Sequence, residues 1–157
     1  MGSKESNVYV LDIKDAAIAG QVMSLQQASY QVEAELIGTR NIPPLMETQD
    51  QLMDSGEIFI GYFKQEELVG AVSYKRKDKT IDIYRMMVHP RHFRKGIAKN
   101  LLYHLERGEG DTLEILVSTG AQNLPAVRLY EKLGFILVGE TVVGEGLRLS
   151  QFIKNIG

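Results

Sequence analysis

The chain of 157 residues contains no cysteine. It therefore forms no disulfide, offers no thiolate nucleophile and builds no cysteine-based metal site. A cysteine-free chain without a leader segment at its start is expected in the cytoplasm. Three scattered histidines lack metal-ligand spacing, so no metal is expected. Positive charge is not in excess either. Eighteen Lys and Arg against 20 Asp and Glu leave a net charge of −2, without the basic footprint of a nucleic-acid binder. No apolar run approaches the roughly 20 residues of a membrane span, so no membrane partner is expected. No internal repeat and no linker is visible. With 44% hydrophobic and 24% charged residues, the chain reads as one globular domain over 1–157, with a polar, disordered start over 1–7.

The chain is organised around 86–105, MMVHPRHFRKGIAKNLLYHL. An apolar strand ends at Pro90, which has no N–H for a ladder. The basic residues Arg91, His92, Arg94 and Lys95 follow. Gly96 then opens a helix whose apolar residues Ile97, Leu101, Leu102 and Leu105 recur at helical spacing. The first N–H groups of a helix have no intrahelical partner, and the macrodipole is positive at that end. A strand, a small basic turn and a helix N-terminus together suit an anion, commonly a phosphate. Gly96 lets the backbone approach that guest, and Ala98 keeps the wall low. The turn is not a P-loop, because it lacks a second glycine and a following Lys-Ser or Lys-Thr. That argues against a phosphotransferase. No glycine follows at the spacing of a dinucleotide fingerprint.

The turn resembles instead the pyrophosphate-binding turn of the GCN5-related N-acetyltransferase (GNAT) superfamily, Arg/Gln-x-x-Gly-x-Gly/Ala after a strand. Here it reads Phe93-Arg94-Lys95-Gly96-Ile97-Ala98, with Phe93 where Arg or Gln is usual. A second stretch, from Asn123 through Ala126 and Tyr130 to Gly134-Phe135, resembles the family's other signature, Asn-x-x-Ala-x-x-x-Tyr-x-x-x-Gly-Phe, at every named position.

The resemblance implies acetyl-coenzyme A as co-substrate and an amine as acceptor. It assigns the pyrophosphate to the backbone of Arg94, Lys95, Gly96, Ile97, Ala98 and Lys99. It assigns the pantetheine arm to Met87 and Val88, with Asn123 bonding the arm from the other side. A backbone N–H near Val88 would polarise the thioester carbonyl, and Tyr130 would protonate the leaving thiolate. For the base, a carboxylate at the place of Asp82, or Tyr84 through a water, is the candidate. Strand alternation sets Asp82, Tyr84, Met86 and Val88 on one face. Tyr30, Glu33, Glu35 and Glu47 lie in the N-terminal segment that covers the acceptor in the family. Glu35 and Glu47 are further candidates for the base. The alternative is a coenzyme A-binding sensor without turnover. Each residue also has a plain structural role open to it. Gly96 could only start a helix, Asn123 only cap one, and Tyr130 only fill a core.

Read in order, the chain predicts a strand over 8–13, a helix from an Asp15 cap to Tyr30 and a second helical piece over 31–37 ended by Gly38. A stiff turn at Asn41-Ile42-Pro43-Pro44 keeps Pro43 extended, and a short helix spans 48–54. Three antiparallel strands at 58–63, 68–75 and 80–88 follow, then the Gly96 helix to Arg107, broken over 108–110. A strand at 113–117 runs parallel to 80–88. A helix ends near Leu133, and an antiparallel pair occupies 135–143 and 147–153. The expected class is α/β (α+β), a mixed, mostly antiparallel twisted sheet of about seven strands with helices on both faces. A homodimer would pair through the 147–153 strand.

Overall fold

Hairpin-linked segments rich in β-branched and aromatic residues build one half of a seven-stranded sheet. The computed structural model describes residues 7–38, 42–108, 110–144 and 146–157. Residues 1–6 of the start expected to be disordered over 1–7, Asn41 of the predicted turn, Glu109 of the predicted break and Glu145 of the last hairpin lie outside the described residues. The strands are β1 (Val8–Leu11), β2 (Ile58–Lys64), β3 (Glu67–Lys77), β4 (Thr80–Val88), β5 (Glu114–Gly120), β6 (Ile136–Val143) and β7 (Leu147–Asn155). Their spatial order is β1-β2-β3-β4-β5-β7-β6. Every neighbouring pair is antiparallel except β4 and β5, which run parallel as their helical crossover requires.

The helices are α1 (Ala16–Ile37), α2 (Pro43–Met46), α3 (Gln49–Met53), α4 (Ile97–Gly108) and α5 (Leu124–Lys132). Two cores result. One holds Ile97, Leu101, Leu102 and Leu105 of α4 and Tyr130 of α5 against Val72, Ile81, Ile83, Ile115 and Phe152 of the sheet. The other holds Ala19, Val22, Leu25, Tyr30 and Ala34 of α1 with Leu52 of α3 against Phe59, Ala71 and Met87.

Several expectations need correction. The two helical pieces over 15–37 are one helix, capped by the Asp15 side chain at the Ile18 N–H and ended by Gly38 at φ 80°. Nothing at 30–31 breaks it, because the apolar stripe continues from Tyr30 to Ala34 on the sheet side. The two prolines do not form an extended turn. They open α2 in its first turn, where no N–H is needed, and the extended residue is Ile42, with ψ 136°. β7 lies between β5 and β6, so the strand proposed for pairing two copies is interior. The free edges belong to β1 and β6.

The deepest correction concerns β4. Ser73 pairs with Arg85, but Tyr74 pairs with Ile83, so Tyr84 is one extra residue in the strand. This β-bulge shifts the alternation by one. Ile81 and Ile83 share a core with Met86 and Val88. Arg85 and Met87 turn to the α1 side instead. Asp82 and Tyr84 therefore do not share a face with Met86 and Val88.

Arg85 is nearly buried there and gathers a network. Its guanidinium donates to Glu57 at 2.8 and 3.1 Å, to Gln26 at 2.9 Å and to both oxygens of Glu47. Gln26 also donates to Glu47 at 2.8 Å, and Ser73 to Glu57 at 2.6 Å. Burial pushes the Glu47 carboxyl up, but the hydrogen bonds from Arg85 and Gln26 outweigh it and hold the group below its ordinary range.

Arg85→Ala would leave two carboxylates facing each other with little water. It should destabilise the protein by about 3–5 kcal/mol in urea unfolding. Glu47 is depressed in the folded state, so its contribution is present above the ordinary carboxylate value of 4.5 and lost as pH falls through the lower folded value. The parent should therefore lose stability below that pH more steeply than Glu47→Gln.

Candidate active site

The site begins where a ladder ends. β4 and β5 pair only from Thr80↔Glu114 to Asp82↔Leu116, and beyond that point the two strands part. β5 stays with β7 as far as Gly120. The result is a V-shaped gap with Asp82 at its vertex and Val88 and Gly120 at its two tips.

Backbone direction decides what faces the gap. The His89 N–H bonds Val69 of β3 at 2.8 Å. Because N–H groups alternate along an antiparallel strand, those of Met87 and Arg85 also face β3, while those of Val88 and Met86 face the gap. On the other side the Ala121 N–H bonds Arg148 of β7 at 2.9 Å, so that of Gly120 faces the gap. Helix α1 crosses over this opening and brings a side-chain oxygen toward each of the three. Val88 N–H donates to Ser29 Oγ at 3.3 Å. The Tyr30 hydroxyl faces the Met86 N–H, which favours its charged form. Glu33 Oε2 lies in contact distance of Gly120. The expectation that Met87 serves the gap is thus corrected to Met86, since Met87 is fully buried and its backbone faces β3.

Tyr130 and Asn123 come from α5. Asn123 caps that helix, its Oδ1 accepting from the Ala126 N–H at 3.3 Å, while its side chain also favours the charged form of Glu33. It is a cap and a site residue at once. The end of α5 explains the Tyr-x-x-x-Gly-Phe spacing. Gly134, at φ 97°, lets its own N–H reach Glu131 O and that of Phe135 reach Tyr130 O, a Schellman closure. The closure brings the Phe135 ring to 5.4 Å from the Tyr130 ring, and Phe152 stands 6.0 Å away.

Tyr130 is 3% exposed. Burial, and then the charge of Glu33, push its phenol above the ordinary value of 10.0, so it keeps its proton at neutral pH. Tyr30 is pushed up likewise by burial, Glu33 and Tyr130. Burial raises the Glu33 carboxyl too, against the opposing hydrogen bonds from Asn123 and Gly120. Tyr30, Asn123 and Tyr130, all buried, thus form one cluster with the half-buried Glu33 at the head of the gap.

The other candidates lie away from this cluster. Asp82 is exposed, with its carboxyl raised by partial burial. Tyr84 is half exposed, with the Lys75 ammonium 5.1 Å from its ring centre. Glu35 is exposed on α1. Glu47 is committed to Arg85. Sequence reasoning missed Ser29 and Met86. It also missed Arg85, whose signal was an arginine in an apolar strand where the alternation fails.

The basic turn lies just past the Val88 tip. A 3-10 turn at Pro90–His92 is closed by His89 Nδ1, which accepts from the Arg91 N–H at 3.2 Å. Arg94 (φ 64°) and Gly96 (φ 77°) are left-handed, and α4 begins at Ile97. Successive N–H groups in such a turn converge into an anion-binding nest at a helix N-terminus. A Cβ at Gly96 would meet nothing within 4 Å, so the turn stays open to a guest. Among the described residues no group of three or more acidic or histidine side chains could hold a metal, and no helix is long and apolar enough to cross a membrane.

The profile of the Acetyltransferase (GNAT) family matches residues 20–135. The chain belongs to this family. It is 38% identical over 145 residues, 92% of its length, to the UPF0157 protein YqkA of Bacillus subtilis, and spans 42% of the length of that relative. Its fold matches the ribosomal-protein-S18-alanine N-acetyltransferase of Escherichia coli with a TM-score of 0.74 at 14% identity, covering 95% of this chain and 92% of the other. It also matches the PaiA N-acetyltransferase of Thermoplasma acidophilum in complex with coenzyme A, with a TM-score of 0.72 at 18% identity, covering 95% and 99%. The seven-stranded GNAT fold is thus present from β1 to β7.

A valine at Gly96 faces open space and meets only the left-handed backbone penalty, about 1–2 kcal/mol. Gly96→Val should lower Tm by several degrees yet fold, while coenzyme A affinity, measured by calorimetry, drops at least about tenfold as the N–H groups lose their common direction.

Proposed function

We propose that this GNAT domain transfers an acetyl group from acetyl-coenzyme A directly to a primary amine, with Tyr130 as general acid. The observation that carries the reading is the parted β4–β5 ladder, with gap-facing N–H groups at one end and a buried, protonated phenol at its head. The nest at 94–99 suits the pyrophosphate. Met86 and Val88 N–H suit carbonyl oxygens of the pantetheine arm and the thioester, taking the places now held by Tyr30 and Ser29. A thioester carbonyl that accepts from Val88 N–H gains most when its oxygen becomes negative, because the donor is already in position. Tyr130 protonates the departing sulfur. With no cysteine in the chain, transfer is direct and forms no acyl-enzyme. The acceptor side is the α1 side, where Glu33 suits a cationic amine.

Thiol release from acetyl-coenzyme A is followed with butylamine, diaminobutane, trifluoroethylamine and an alanine-terminated tripeptide. At least one amine should drive release, and Tyr130→Phe should lower that rate at least about tenfold with coenzyme binding unchanged. Tight coenzyme binding with no release across the panel would instead favour a sensor.

A further inference from the structure

β6 ends the sheet on the side away from β1, so one of its edges has no neighbouring strand among the described residues. Ile136, Leu137, Val138 and Val142 of this strand are each half exposed or more. Natural edge strands are commonly shielded by lysine, by proline or by being short. β6 has eight residues and neither lysine nor proline. Its one charge, Glu140, already meets Arg148 of β7 at 3.7 Å. β1, at the opposite edge, has only four residues.

The direction of each backbone group on β6 follows from β7. The Ala121 N–H bonds the Arg148 carbonyl, so the polar groups of Arg148 point toward β5. By alternation those of Leu149 and Gln151 point toward β6, where their partners are Thr141 and Gly139. Thr141 and Gly139 are thus bonded inward. Glu140 and Val142 turn their N–H and C=O groups outward. The register slips only at Val138, so the stretch from Gly139 to Val143 is regular. It presents open donors and acceptors at every second residue, and its own side chains leave them free to pair with another strand.

We propose that β6 pairs antiparallel with β6 of a second copy of this chain, across a two-fold axis at Thr141. In this register Glu140 of each copy lies opposite Val142 of the other. Both pairs exchange N–H···O bonds in each direction, which uses every outward group of the regular stretch. Thr141 faces its own twin at the closer, non-hydrogen-bonded position, where threonine pairs are favourable. Val143 falls opposite Gly139 and Val138 opposite Gly144, so valines meet bare backbone. Neighbouring registers fail. An axis at Glu140 sets two carboxylates face to face, one at Gly139 runs into the bulge at Val138, and one at Val142 carries Glu140 off the strand onto Gly144. A two-fold pair is also closed, whereas β1 of one copy on β6 of the next would continue as a fibre. β5 and β7 stand between β6 and the gap, so the pairing leaves the candidate active site open and does not rest on the transfer reading.

Sedimentation across a range of micromolar concentrations tests this with charge-swapped variants. The parent should form a dimer. Thr141→Lys and Thr141→Glu change an exposed side chain, so each should keep the parent's circular dichroism. Each alone should dimerise at least about fivefold more weakly than the parent, because like charges then face each other. Their equal mixture should dimerise more tightly than either alone, because a lysine then faces a glutamate. The chain has no cysteine, so Thr141→Cys carries a single thiol. Mild oxidation should join two copies through it. Val142→Cys should resist, because its twin lies on the diagonal at about 7–8 Å, beyond easy bridging. A monomeric parent at every concentration would overturn the proposal and leave the edge to an extended peptide. Dimers untouched by either charged variant, no gain in the mixture, faster joining through Val142→Cys, or open polymers would each overturn it as well.

Discussion

The structure turns on a parallel ladder that stops after three residue pairs. Strands that part inside a protein leave N–H groups without partners, and a buried orphan is costly. The fold answers this with helix α1. Ser29, Tyr30 and Glu33 fall on one side of that helix and bring side-chain oxygens toward the N–H groups of Val88, Met86 and Gly120. The opening is therefore satisfied without being closed by backbone. Side-chain oxygens can be exchanged for those of a guest. The Val88–Ser29 contact, at 3.3 Å, is long for such a bond, so giving it up costs little.

The bulge at Tyr84 serves the same gap from the other direction. It slips β4 by one residue, which keeps Met86 and Val88 packed toward α4 and turns Arg85 toward α1. There Arg85 gathers Gln26 of α1, Glu47 from the α2–α3 connection and Glu57 ahead of β2. Four separate parts of the chain are thereby fixed around the stretch of β4 that leads to the donors. A buried network of this kind is weak as a source of net stability but strict about geometry, because each member loses its partner if another moves.

The parts legible in the sequence were those governed by local rules. A turn that passes through a left-handed residue before a helix is written in Gly96. A helix that starts on Asn123 and closes through Gly134 onto Phe135 is written in its caps. Both signatures therefore fall on a turn and caps that the structure builds, and the hairpins and the one parallel pair followed from short turns and a crossover, whereas the interior place of β7 did not. What was missed depends on tertiary partners. The regular alternation assumed for Asp82 to Val88 fails at an extra residue, visible in the sequence only as a broken polar–apolar rhythm at Tyr84-Arg85-Met86-Met87. Ser29 looks like any helix-surface serine until β4 is seen opposite it. Glu33, Glu35 and Glu47 looked alike as carboxylates. Packing separates them into a half-buried group at the gap, an exposed one and one half of an ion pair.

The most direct test of this account follows the backbone amides of the isotope-labelled protein by NMR while acetyl-coenzyme A is added. Met86, Val88 and the turn over 94–99 should show the largest shifts. Met87 and His89, whose N–H groups face β3, should move little. Shifts confined to other surfaces, or equal movement of Met86, Met87, Val88 and His89, would contradict the claim that the parted ladder receives the coenzyme.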